Sequence, residues 1–228
     1  MLVDSHCHLD RLDLSPFNGS LDAVLAAAEA QDIGHFLCVS INLEDYPAML
    51  KIAEAHEQVS ASVGLHPNEQ GGHDPDTDEL VGLAEHPGII AIGETGLDYF
   101  RSEGDLDWQR DRFRRHIAAA KLSGKPLIIH SRDARDDTLK ILEEEQADEV
   151  GGVMHCFGYG ATCHGNELLY FIFRNRDLQE RPGIAGHRGE NAVRPLPGGN
   201  GFTLPGPGAA PRQAEPAGLR ASRGRVYC

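Results

Sequence analysis

No apolar run in the 228 residues approaches the length that crosses a bilayer, so no membrane association is expected. No n-region or h-region precedes Asp4 and His6, so no signal peptide is read. There are only 5 cysteines (Cys7, Cys38, Cys156, Cys163 and Cys228), an odd number without framework spacing. That excludes a disulfide scaffold and fits a reducing cytoplasm. Neither a GxGxxG nor a Walker pattern occurs, which removes the usual signatures of dinucleotide and P-loop sites. Positive charge is scarce: 21 Lys and Arg stand against 35 Asp and Glu. A generic electrostatic nucleic-acid binder carries the opposite balance. An enzyme that holds phosphate through bound cations is still allowed, because the metal then supplies the positive charge.

The length suits one large α/β domain with a buried core. Short apolar runs alternate with helical patterns. The strand candidates are 1–3, 35–39, 60–64, 89–93, 126–129 and 152–154. Ser20 can cap a helix over 21–31, with Leu21, Val24, Leu25 and Ala28 on one face. Further helices are expected over 45–56, 106–122 (stopped by Gly124) and 138–148, the last capped by Asp136 or Asp137. This β-α alternation, with strands apolar throughout, predicts parallel units covered on both faces.

Polar residues gather at the C-terminal ends of the strands. They lie in Asp4-Ser5-His6-Cys7-His8, Gly64-Leu65-His66-Pro67, Gly93-Glu94-Thr95-Gly96, His130-Ser131-Arg132 and His155-Cys156-Phe157. In a (β/α)8 TIM barrel the active site occupies that face. His6 and His8 are two apart on a strand, so both imidazoles face one side and can reach one cation. Glu94 follows a long apolar run, and a carboxylate placed there can bridge two cations. His130 and His155 each end a hydrophobic strand. A lone histidine in such a place is more often structural, but four imidazoles and one carboxylate together nearly furnish two metal sites. A further carboxylate, to take a proton from water, is missing. His66 and Arg132 have two readings: ordinary loop polarity, or groups that hold an anionic leaving group. Cys7 and Cys156 read as packing residues. His56, His73, His86 and His116 match no ligand pattern.

The stretches "LVDSHCHLD", "SVGLHPNE", "IIAIGETGLDYF", "KPLIIHSRDA" and "GGVMHCF" resemble the TatD family of metal-dependent hydrolases, in family order and spacing. The resemblance covers residues 1–157 and implies a (β/α)8 barrel of amidohydrolase type. It implies two divalent cations (Mg, Mn or Zn) and phosphodiester hydrolysis with DNA as substrate, of a 3'-5' exonuclease-like kind. Carried over, the metal ligands are His6, His8, Glu94, His130 and His155; His6 and His8 hold one cation, His130 and His155 the other, and Glu94 bridges them catalytically. His66 and Arg132 fall on the substrate side. No protein partner is inferred. Two other functions stay open: an amidohydrolase-type barrel acting on an ester, amide or lactone, and a non-enzymatic product of a disrupted gene.

Residues 158–228 depart from this pattern. They hold 13 of the 26 Gly and 7 of the 13 Pro, and all 9 of their basic residues are Arg. The family's seventh strand, similar to "FISFSG", and its eighth, ending in "ETDSPYLAP" with the missing Asp, are absent. Both are legible one base out of frame. Codons allowed for Gly199–Thr203 and Leu204–Ala217, read from their second base, give "ETDSP" followed by "YLAPVPHRGKPNQP". Leu169–Arg181 admits "FISFSGIVTFKN" in the same shifted frame. A single frame slip near Gly158–Gly160 accounts for the lost motifs, the composition and the charge reversal together. The expectation is therefore an incomplete barrel at 1–157, with about six of eight βα units readable, followed by an out-of-frame tail at 158–228. Open strand edges would leave such a chain poorly folded and inactive.

Overall fold

The computed structural model describes residues 2–100 and 102–155, and the backbone of 170–172 and 194–195. Six parallel strands alternate with helices: β1 (Leu2–Cys7), α1 (Leu21–Glu29), β2 (Ile33–Cys38), α2 (Tyr46–Ala55), β3 (Val59–Val63), α3 (Thr77–Ala84), β4 (Ile89–Asp98), α4 (Asp107–Ser123), β5 (Leu127–Arg132), α5 (Arg135–Glu144) and β6 (Gly152–His155). Each strand pairs with the next in sequence order. The result is a curled half-barrel of the expected TIM type, with six parallel strands and the five helices that connect them.

Two short strands extend the sheet, β7 (Tyr170–Ile172) and β8 (Arg194–Pro195). Strand β7 runs antiparallel to β6, and β8 antiparallel to β7. A seventh and eighth barrel stave would be parallel. Among the described residues no pairing joins β8 to β1. The expectations for Cys156, Phe157, Cys163, the junction at 158–160 and the tail expected to be out of frame lie outside the described residues.

The sheet has two apolar faces, set by strand alternation. The outer face packs the helices: Phe36, Val63, Ile92, Leu127, Ile129 and Met154 meet Leu25, Met49, Leu80, Phe113 and Ile117 in one buried cluster. The inner face carries a smaller cluster of Val39, Ala91 and Ile128, flanked by Leu37 and Val153. Continuing those alternations places His130 beyond Ile128, and His155 beyond Val153, both on the inner face.

The helices follow local rules, and the differences from expectation lie in α5, α3 and β4, with β1 and β5 also running past their expected ends. Ser20 does cap α1, its hydroxyl accepting the Ala23 N–H at 3.2 Å, and Gly124 ends α4 in the left-handed region. Helix α5 begins earlier than read, at Arg135, so Asp136 and Asp137 lie inside its first turn and no side-chain bond caps it. There their charge still favours the helix N-terminus. Helix α3 was not anticipated; Asp76 caps it by accepting the Glu79 N–H at 2.9 Å. The third difference is in β4, which runs five residues past Gly93.

Between Ile92 and Thr95, β4 holds one residue more than β5 opposite. That extra residue is what puts Glu94 on the same face as Ala91, with Leu97 returning to the outer core. Gly93 (φ +146°) and Gly96 (φ +129°) make this possible. A Cβ on Gly93 would come within 2.5 Å of the Ile128 carbonyl, and one on Gly96 within 2.1 Å of the His130 carbonyl. Only glycine accepts both that backbone and that approach.

Candidate metal centre

Glu94 is the centre of the arrangement. It is 3% exposed, a carboxylate withdrawn from water at the inner end of β4. Its backbone N–H donates to the Ser40 carbonyl at 3.0 Å. Behind it, the Ser62 hydroxyl donates to Gly93 O at 2.5 Å and accepts the Ser40 N–H at 3.0 Å. The Ser40 hydroxyl donates to Gly64 O at 2.9 Å. These buried serines satisfy the backbone where β3 and β4 crowd together, and so fix the carboxylate.

Histidines surround that carboxylate. His6 Nε2 lies 3.3 Å from Glu94 Oε2, and His130 Nδ1 lies 3.0 Å from Glu94 Oε1. The His155 ring stacks on His6 at 3.8 Å between centroids and stands 6.4 Å from His130. His8 meets His6 edge-on at 5.4 Å. Ligand atoms of His6, Glu94 and His155 all fall within 4.8 Å of one another, as do those of His66, Glu94 and His130. Of the residues expected as ligands, His6, His130 and His155 thus gather around Glu94, with His66 beside them, while His8 stands against His6.

The electrostatics suit cation binding. Burial would raise the Glu94 carboxyl, but His6 and His130 win and hold it well below its ordinary value. Burial also opposes charge on His130, yet hydrogen bonds to Asp98 and Glu94 pull it up to about 10. Without a cation, a proton on His130 neutralises the carboxylates; a divalent ion would supply the same charge. Burial and the nearby His6 lower His8, keeping its ring neutral. Its Nδ1 donates to the Val39 carbonyl at 2.8 Å, which leaves the Nε2 lone pair available to a cation. The donor set of imidazoles around one buried carboxylate fits divalent transition ions or Zn.

His66 differs. Its Nδ1 accepts the Asn68 N–H at 3.1 Å. Burial lowers its pKa to about 4, so the ring is neutral and its one proton sits on Nε2. Although His66 lies within ligand distance of Glu94 and His130, in this tautomer it presents a donor, not a lone pair. Arg132 stands two residues beyond His130, its guanidinium 3.9 Å above the Phe100 ring. Cys7 and Cys38 are free thiols. Burial pushes Cys38 up to about 12 and Cys7 higher still, so both are inert packing residues.

Several supporting residues gave no readable signal. His116, assigned nothing from sequence, is fully buried on α4. Its Nε2 accepts the Leu65 N–H at 3.1 Å and its Nδ1 donates to Arg112 O at 2.9 Å, which anchors the segment carrying His66. Arg112 donates to the carbonyls of His66 (3.4 Å) and Glu69 (2.8 Å). The contacts to Leu65, His66 and Glu69 span 43 or more residues of sequence, so spacing alone could not show them.

The family model described as TatD related DNase matches residues 3–168. The chain belongs to this family. It is 44% identical over 157 residues to the uncharacterized metal-dependent hydrolase YcfH of Escherichia coli K12, covering 68% of this chain and 58% of that protein. The chain thus spans less than two thirds of the length of that relative. It is 31% identical over 137 residues to the 3'-5' ssDNA/RNA exonuclease TatD of Enterobacter lignolyticus, covering 60% of this chain and 53% of that one. Its fold is similar to the crystal structure of the TatD homolog YjjV from Escherichia coli, with TM-score 0.60 and 27% identity over 70% of this chain and 61% of that one. Family membership makes this a metal-dependent hydrolase fold. Among the described residues no helix is long and apolar enough to cross a membrane.

Proposed function

We propose that this site is built for metal-dependent hydrolysis of phosphodiester bonds in DNA, in the 3'-5' exonuclease-like manner of one relative. The observation that carries the reading is Glu94, a buried carboxylate between His6 at 3.3 Å and His130 at 3.0 Å. Burying a carboxylate is costly unless positive charge meets it. His6 and His8 would hold one divalent cation (Mg, Mn or Zn), His130 and His155 the other, with Glu94 bridging. When bound, such cations supply Lewis acidity at a phosphoryl oxygen and activate water. His66, neutral with a proton on Nε2, donates to a non-bridging phosphate oxygen. Arg132 offers its planar guanidinium to the same anion. The acidic balance of the chain fits a substrate held through cations. The buried free thiols fit a reducing cytoplasm.

The proposal extends to the tail. Residues 158–228 are an out-of-frame segment, and the carboxylate that would take the proton from water is lost with the eighth stave. This chain is accordingly inactive, while its lineage is a TatD-type deoxyribonuclease. The test is a 3'-labelled single-stranded DNA degraded with Mn or Mg ions, by this chain and by a version with the frame restored. Phosphotriesters and lactones run alongside. Metal-dependent loss of 3' nucleotides by the restored protein alone is expected. Turnover of a lactone or triester in preference to DNA would favour the amidohydrolase alternative. Metal binding without any turnover after restoration would favour a non-enzymatic product.

A further inference from the structure

Asp98 ends β4 four residues after Glu94, and the two carboxylates grip His130 from opposite sides. His130 Nδ1 faces Glu94 Oε1 at 3.0 Å; His130 Nε2 faces Asp98 Oδ2 at 3.1 Å. Both contacts are sealed from water: His130 and Asp98 are each 1% exposed. Asp98 does not share the close approach of ligand atoms found among His66, Glu94 and His130. It stands on the far side of the imidazole.

The carboxylate is itself held in place. Asn68 Nδ2 donates to Asp98 Oδ2 at 2.7 Å, and the Phe100 N–H donates to Asp98 Oδ1 at 3.1 Å. Its backbone is clamped by Gln109, whose Oε1 accepts the Asp98 N–H at 2.9 Å and whose Nε2 donates to Asp98 O at 3.2 Å. Every neighbour of the two carboxylate oxygens is a donor. A group so placed acts as an acceptor in only one way toward His130: it holds a proton on Nε2.

We propose that Asp98 is the positioning residue of the metal centre, fixing His130 with its proton on Nε2 so that the Nδ1 lone pair is directed at the cation beside Glu94. This rests on the reading of His130 as a ligand. A carboxylate behind a ligating imidazole orients the ring and raises its basicity, and its loss costs 10–100-fold in affinity in such sites. Asn68 serves the same end one step further out, by holding Oδ2 in line.

The test uses the full chain, Asp98→Asn and Asn68→Ala. In Asp98→Asn the amide NH2 must oppose one of the three donors, although shape is conserved. Two readouts are taken. The first is calorimetric titration with Mn or Zn ions. The second is the His130 ring N–H signals by nitrogen-15 NMR before any metal is added, with a thermal melt to confirm folding. The wild-type chain should show a protected His130 Nε2–H. Asp98→Asn should lose that protection and weaken metal binding about 10–100-fold, and Asn68→Ala should weaken it less. A folded Asp98→Asn chain that keeps the protected Nε2–H, or binds the ion as tightly as wild type, overturns the proposal. A wild-type chain with the protected signal but no metal binding sinks the metal reading itself, and the proposal with it, while leaving the Asp98–His130 contact standing.

Discussion

Residues 1–157 and residues 158–228 obey different rules although they share one chain. In the first region every level agrees. Apolar alternation, helix caps and strand order give six parallel staves, and polar residues appear where the strands end. In the second, half of the chain's glycine and more than half of its proline are concentrated, every base is Arg, and β7 turns antiparallel. Natural sequences are locally consistent with their folds. The contrast between the two regions is what the proposed frame slip would explain.

The largest expected effect tests that contrast by removing it. Restoring the frame near Gly158–Gly160 should raise metal-dependent cleavage of 3'-labelled DNA by about 10²–10⁴-fold, the usual worth of a positioned general base. An unchanged rate would break the comparison. Next comes Glu94→Gln, which strips the shared carboxylate from the first region. Divalent-ion affinity by calorimetry should fall at least about 100-fold, more than for an outer residue, while folding is retained. Third, Phe113→Ala, fully buried between α4 and the sheet, should lower stability to denaturant by about 3–5 kcal/mol. A loss under 1 kcal/mol would mean that the outer core is not packed as described.

A smaller effect concerns pH. Burial holds His116 at about 4 in the folded chain, below the ordinary histidine value. The unfolded chain therefore binds a proton that the folded chain does not. That contribution to stability is complete above pH 6.5 and is lost as pH falls toward 4. Its ceiling is roughly 3 kcal/mol by linkage. Melts across that window should fall more steeply for wild type than for His116→Gln; equal slopes would remove His116 from the scaffold behind His66.

Sequence reading reached the staves and the residues that gather around Glu94 because both obey local rules. Apolar runs mark strands, and a His or Glu at the end of such a run is out of place for a core. It stopped β4 at Gly93 because glycine usually ends a run; the extra residue that turns Glu94 inward leaves no compositional trace. Asp98, in "GETGLDY", carries no signal of its own, since a single Asp after a strand looks like a turn residue. Its meaning depends on Asn68, Gln109 and His130, which are 30, 11 and 32 residues away. Likewise His116 reads as an unremarkable helix residue until its contact with Leu65, 51 positions distant, is seen. The proposed frame slip would be recorded in codons rather than contacts, so no contact among the described residues bears on it.

The most direct measurement is the nucleotide sequence across the codons for Phe157 to Ala217. The account predicts one gained or lost base near Gly158–Gly160, and a shifted frame encoding "FISFSG" and then "ETDSPYLAP" in that order. A gene whose shifted frame encodes neither peptide would contradict it.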